Sequence, residues 1–297
     1  MPSHDLPVAR RPMGTPRNLL EPLMRSILFA LFLLMPATGA HASLAPANQA
    51  EAAVLKDFEA LSSGDADALA SVFAAEIQMY GLPTGDHRLA GARNEALRTR
   101  EQLRAFFRQA FAERAPWRHE VVEMISLGEW VIVRVALHAP DGTPPDHAFT
   151  AFRVNDGLIH AIWHVALEKD AEPGSGDAAR AVVERREAAA NRADADGFLA
   201  VFHPNARHFH HRNVPGQFGG GPSTRMTDRA SRERYTREWM AKTPGHVTLL
   251  ESVALGEWVA FRTRHTAGDG TVTEDITLDR VRGGRVIGHW YVAENKL

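Results

Sequence analysis

The chain has 297 residues, 34 basic and 36 acidic side chains for a formal net charge of −2, and no cysteine. That length suits two domains better than one. The charge balance leaves no footprint for nucleic acid or an anionic membrane, and the missing cysteines exclude disulfides, thiolate nucleophiles and Cys-ligated zinc or iron–sulfur centres.

At the N-terminus, Arg25 precedes an apolar run from Ile27 to Met35, and Ala40-His41-Ala42 offers the small-x-small pattern that a signal peptidase reads. Cleavage is expected after Ala42, so residues 1–42 read as signal peptide and N-terminal extension, and the mature protein as periplasmic or secreted. The apolar run is about ten residues, short of the ~20 that span a bilayer, so no stable membrane anchor is expected after signal removal. Met24-Arg25-Ser26 would itself open a compact signal peptide, which leaves Met1 and Met24 both open as starts.

Next comes a repeat. Asp65-Ala66-Asp67 and Val72-Phe73 return 129 positions later as Asp194-Ala195-Asp196 and Val201-Phe202. Leu127-Gly128-Glu129-Trp130-Val131 returns at a shift of 128 as Leu255-Gly256-Glu257-Trp258-Val259, and Trp163 at a shift of 127 as Trp290. Near-constant shifts over such a span argue for duplication. Glu172-Pro173-Gly174-Ser175-Gly176 reads as the linker, giving domains over 46–170 and 177–297.

Each copy has the same predicted elements. Ala53, Val54, Phe58 and Leu61 recur at helical spacing, as do apolar residues between 178 and 190, so a long helix opens each unit. The Asp-Ala-Asp segments cap a short second helix. Thr99-Arg100-Glu101-Gln102 has capping-box spacing ahead of Leu103, Phe106, Phe107, Ala110 and Phe111, and Ser231 begins the counterpart helix. Alternating stretches such as Val131 to Val135 and Thr271 to Ile276, with turns at Asp141-Gly142 and Gly283-Gly284, close each unit with antiparallel strands.

Phe73 to Pro83, Arg100 to Phe107 and Phe152 to Ile159 with Trp163, and in the second copy Phe202 to Gly216, Ala230 to Tyr235 and Arg280 to Trp290, resemble SnoaL-like domains of the nuclear-transport-factor-2-like superfamily, of ketosteroid-isomerase and polyketide-cyclase type. The resemblance implies an α+β fold: two cone-shaped domains, each a curved antiparallel sheet wrapped around a long helix with two further helices. It implies largely apolar cavities for a small hydrophobic molecule, and sheet pairing that would make an internal pseudo-dimer or a homo-oligomer.

The resemblance also points to chemistry in the second copy. In isomerase-like members a catalytic acid often follows the second-helix aromatic by eight positions, which is His210 here and Gly81 in the first copy. An inward His210 would be a general base; the competing reading is a solvated histidine among His203, His208, His210 and His211. Asp275 would join His210 and His289 in an acid–base constellation if it faces inward, or pair with Arg262 across the strands at the surface. His289-Trp290-Tyr291 and Ile162-Trp163-His164 keep the family's aromatic and lack its following acid, which argues against classical cyclase chemistry and leaves Tyr291 as a hydrogen-bond donor to an oxyanion. Residues 178–190 contain no tyrosine, against a faithful steroid isomerase. Candidate ligand-binding residues are Tyr80, His160, Trp163, His164, His208 and Trp290, with the two tryptophans equally readable as core; alternation from His160 puts His164 on its face. His208 and His210 share a strand face, but zinc needs three or four ligands, so no metal is assigned; nor is any cofactor. Whether the chain is an enzyme, a non-catalytic carrier or an association module stays open at this stage.

Overall fold

The structure, a computed structural model, describes residues 44–242 and 245–297. The signal segment 1–42, its cleavage after Ala42 and the alternative start at Met24 lie outside the described residues.

In the first unit, α1 (Gln49–Ser63) opens on Asn48, whose side chain accepts from the Glu51 amide, and closes at Gly64 with φ +71°, a conformation that favours glycine. Its buried stripe is Ala53, Val54, Asp57, Phe58 and Ala60. Asp65 caps α2 (Ala66–Ser71) through the Asp67 and Ala68 amides. Then come β1 (Phe73–Tyr80) and α3 (Arg100–Glu113), which starts on a capping box between Thr99 and Gln102. Strands β2 (Arg118–Leu127), β3 (Trp130–His138), β4 (Asp146–Asn155) and β5 (Leu158–Glu168) form an antiparallel meander, and β1 joins β5 in parallel, giving the order β1-β5-β4-β3-β2.

The second unit repeats this course with α4 (Asp177–Asn191), α5 (Ala195–Ala200), β6 (Phe202–His210), a short β7 (Gly221–Pro222), α6 (Arg229–Lys242), β8 (Gly245–Leu255), β9 (Trp258–Ala267), β10 (Val272–Arg282) and β11 (Arg285–Lys296). Its sheet order is β7-β6-β11-β10-β9-β8, again with one parallel pair, β6 with β11. Each long helix lies against one face of its sheet. Among the described residues no helix is long and apolar enough to cross a membrane.

The registers put the repeat on a residue-by-residue footing. Phe152 pairs with Val131 on one side and Ile162 on the other; Asp279 pairs with Val259 and His289. Asp279 therefore occupies the place of Phe152, and His289 that of Ile162. Continuing outward, His208 stands where Met79 does, Tyr291 where His164 does, and Asp275 where Ala148 does.

The outer faces of the two sheets pack against each other through one apolar layer that includes Trp130, Trp163, Trp258 and Trp290. Tyr80 stacks on Trp163 at 5.4 Å and Phe209 on Trp290 at 5.3 Å. Tyr80, Trp163 and Trp290 are thus inter-sheet packing residues, and the expectation that they line a ligand cavity is corrected: strand alternation turns each away from the helix-covered face. Loops cross over reciprocally. Leu89 from the first unit and Phe218, 129 positions later, both enter this layer, and Phe218 stacks on Trp163 at 5.4 Å. Arg282 reaches Asp86 at 2.9 Å and Arg180 reaches Glu123 at 2.5 Å, tying the units at the rim. Leu89→Ala is expected to lower stability by about 2–3 kcal/mol, because it opens a void in a layer shared by both sheets; chemical denaturation measures it, with equal loss expected from probes in either unit.

Candidate functional site

The helix-covered inner faces carry the chemistry, and they differ completely between the units. In the second unit, α4 buries the stripe Ala179, Val182, Val183, Arg186 and Ala189. A guanidinium in that stripe demands a counter-charge, and β10 supplies it. Arg186, 3% exposed, lies 2.6 Å from Asp279, which is 0% exposed, and 2.7 Å from Glu187. Burial opposes the Arg186 charge, but Asp279 and Glu187 outweigh it and raise its pKa. Burial likewise opposes the Asp279 charge, and Arg186 and His289 outweigh it, holding the carboxyl below its ordinary value.

Asp279 also lies 2.6 Å from His289 Nδ1. A ring nitrogen that close to a carboxylate oxygen carries the shared proton, so Nδ1–H donates to Asp279 and Nε2 is the ring nitrogen left for other work. The 3.3 Å approach of Arg186 to the same nitrogen is then an electrostatic contact. Nε2 of His289 has no protein hydrogen-bond partner among the described residues.

Beside it, His208 is 5% exposed, and both its ring nitrogens lack partners among the described residues. Its ring sits 5.2 Å from that of His289 and 5.1 Å from Phe202. Burial first, and then the nearby Arg232 and Arg186 charges, lower its pKa well below the ordinary value, so it is neutral. Tyr291 packs edge-on to His289 at 4.9 Å and stacks on His210 at 5.2 Å. Burial, reinforced by Asp275, raises the Tyr291 pKa, so the phenol keeps its proton. His210 is half-buried, spends Nδ1 on the Arg212 amide at 3.2 Å, and is lowered to about 4 by burial and then His211 and Arg212.

Asp275 points inward. It accepts from Thr263 at 2.7 Å and Thr277 at 3.1 Å and lies 2.9 Å from His265. Burial opposes the charged His265 ring, but the Asp275 hydrogen bond and charge outweigh it and raise its pKa. The surface pairing of Arg262 with Asp275 is corrected: Arg262 and Arg264 both bind Glu274, the neighbour of opposite strand parity, at 2.5 and 2.6 Å.

The first unit replaces this set with apolar residues. Asp57 stands at the helix position equivalent to Arg186, and Phe152 and Ile162 stand at the strand positions equivalent to Asp279 and His289. Asp57 is 2% exposed with no hydrogen-bond partner among the described residues, and burial alone pushes its pKa up to about 8. Farther along this face the packing opens. His164 is exposed, yet the protein around it lowers its pKa through burial, and Met79, Leu137, Leu167, Phe107 and Phe111 nearby are only half-buried. His160 does not share that face: the register shift between Arg153 and Val154 breaks the alternation, sending Ile159 and Ile162 inward and Ala161 and Trp163 outward.

Of the sequence candidates, the structure gathers His208, His210, His289 and Tyr291 on one inner face, with Asp275 on the adjoining strand. Arg186, Asp279 and Asp57 come from the structure alone. Among the described residues no three His, Asp or Glu side chains converge in a metal-holding arrangement.

The architecture is that of a cone in which a sheet cradles a long helix. Residues 54–162 match the model of the SnoaL-like domain. No curated protein matches the chain. Similar solved structures include a candidate ketosteroid isomerase from Kribbella flavida DSM 17836, 19% identical over 40% of this chain and 80% of that one with a TM-score of 0.33. A candidate polyketide cyclase from Sinorhizobium meliloti is 22% identical over 37% of this chain and 91% of that one, TM-score 0.29. A computationally designed 17-OHP binder is 13% identical over 41% of this chain and 98% of that one, TM-score 0.33.

Proposed function

We propose that the protein consists of two tandem SnoaL-like domains forming an internal pseudo-dimer, that it handles small molecules outside the cytoplasm, and that its second domain is an enzyme of isomerase or cyclase character. Export rests on Arg25, the run Ile27–Met35 and Ala40-His41-Ala42. The sheet-to-sheet layer supports the pseudo-dimer. The catalytic part rests on one observation, the buried 2.6 Å contact that fixes His289 against Asp279 and leaves Nε2 free.

A carboxylate behind an imidazole sets its tautomer and stabilises the imidazolium that forms when it takes a proton. The substrate class that uses this is a small carbonyl compound with a C–H beside the carbonyl. Nε2 of His289 removes that proton, the electrons move to the carbonyl oxygen, and the Tyr291 phenol donates a hydrogen bond to the oxyanion. Return of the proton at another carbon completes an isomerisation; attack of the carbanion on a second carbonyl gives a ring. Neutral His208 flanks the same space without adding charge. The first domain, with its apolar inner face and no such dyad, supports a part without chemistry, which is the carrier reading confined to one half.

Proton NMR in D2O with a panel of small enolisable ketones tests this reading. The wild-type protein is expected to exchange the α-hydrogen of at least one member. His289→Gln is expected to reduce that exchange by about 100-fold or more, and Asp279→Asn comparably through the wrong tautomer. Exchange that survives His289→Gln unchanged, or that no ketone undergoes above background, would remove the enzyme assignment.

A further inference from the structure

Arg232 on α6 is 3% exposed, as deeply buried as Arg186, but its surroundings differ. Arg186 meets two carboxylates. Arg232 meets three backbone carbonyls: Nη1 donates to Ala206 at 2.9 Å, and Nη2 to His203 and Pro204 at 3.2 Å each. Its Nε is buried without a partner, and among the described residues no carboxylate forms an ion pair with it. Carbonyl dipoles satisfy donors but leave the charge uncompensated, and a buried cation without a counter-charge is costly.

The fold does not require a cation there. α3 and α6 begin 129 residues apart, so Leu103 is the counterpart of Arg232. Leu103 shares an apolar cluster with Phe73 and Ile77, although β1 breaks register with β5 just as β6 does with β11. A second exchange matches the first. Leu158 opposite Asn155 and Arg285 opposite Arg282 hold equivalent places, so Arg285 is another arginine where the first unit has leucine. Both arginines line one cleft of about 560 Å³ bounded by α5, α6 and the starts of β6 and β11. The other charges in its lining are already paired, Arg237 with Asp196 at 2.5 Å and Arg229 with Glu233 at 2.7 Å. Arg285 is exposed and has no ion pair among the described residues. Leu199, Phe202 and Pro204 add apolar wall to the same cleft.

We propose that this cleft binds a small organic anion, an apolar body carrying a carboxylate or phosphate group that pairs with Arg232 and Arg285. Guanidinium donors match the oxygens of either group, and the anion supplies the counter-charge that Arg232 lacks. The site goes beyond the chemistry assigned to His289. It is read by binding and not by exchange at carbon, so the two assignments fail separately.

Isothermal titration of phenyl phosphate, phenylacetate and the uncharged phenylacetamide into wild type, Arg285→Leu and Arg232→Leu tests the assignment. Each substitution installs the first unit's own residue. Wild type is expected to bind at least one of the two anions about 30-fold or more tightly than phenylacetamide. Arg285→Leu, at an exposed position, is expected to keep the fold and weaken that anion about tenfold. Arg232→Leu is expected to weaken it by about 30-fold or more. Added salt is expected to weaken the anion in wild type and leave the amide unchanged. Where Arg232→Leu loses native circular dichroism, Arg285→Leu alone decides. Equal binding of anion and amide, anion binding indifferent to Arg285→Leu, or binding of neither anion would each overturn the proposal.

Discussion

Asp57→Asn is expected to stabilise the protein by about 4 kcal/mol at pH 7. Burial pushes the folded carboxyl up to about 8, against the ordinary aspartate value of 3.8. Between those values the unfolded chain ionises while the folded protein holds its proton, so stability falls as pH rises from about 4 to 8. Below both values the two states bind the proton equally and the penalty vanishes. Asparagine has nothing to ionise, so its advantage over wild type should be near zero at pH 3.5, grow by about 1.4 kcal/mol per pH unit, and level off above pH 8. Urea denaturation at several pH values reads this directly; a pH-independent difference would mean that Asp57 is not held neutral. A residue that costs this much stability belongs to the set retained for function at a stability penalty.

The opposite sign is expected at the equivalent position of the second unit. Arg186→Met should destabilise the protein by about 3–5 kcal/mol, because it strands Asp279 in a site with no exposure. In wild type the lowered Asp279 pKa contributes stability that is complete above the ordinary carboxylate value and lost as pH falls through the folded one. Without Arg186 that dependence weakens, and the variant should lose its pH-dependent gain above pH 4. The double variant Arg186→Met with Asp279→Leu should recover much of the loss, since paired buried charges contribute little net stability relative to apolar replacements. Failure of the double variant to recover would locate the cost in the packing of α4 instead of in the ion pair.

The same two positions show what the sequence discloses and what it hides. Shifts of 127 to 129 residues revealed the duplication, and the caps at Asp65, Thr99 and Asp194 stand where their spacing puts them. Asp57 and Arg186 were legible in principle: each is a charged residue at the i+3 or i+4 step of an apolar stripe, Val54-Asp57-Phe58 and Val183-Arg186-Ala189, the placement a solvent-facing charge does not take. Asp279 was not legible, because a strand residue facing a helix is apolar or charged according to what the helix brings, and that pairing is 93 residues away. Tyr80, Trp163 and Trp290 could not be placed from sequence, since both faces of each sheet are covered, one by a helix and one by the other sheet. Bulges did the rest: the register shift before Val154 detached His160 from His164.

The two units thus share an element order and strand register but have unlike interiors. The inner face of the first is apolar around the single acid Asp57; that of the second carries Arg186, His208, Asp279, His289 and Tyr291.

Nitrogen-15 NMR of the histidine rings across a pH series probes that second interior most directly. His208 is expected to stay neutral to pH values far below 6.5, with neither ring nitrogen showing a strong hydrogen bond, while His265 on the same face keeps its proton above 6.5 because of Asp275. Both rings titrating together near 6.5, as solvated imidazoles do, would contradict a buried acid–base face in the second unit.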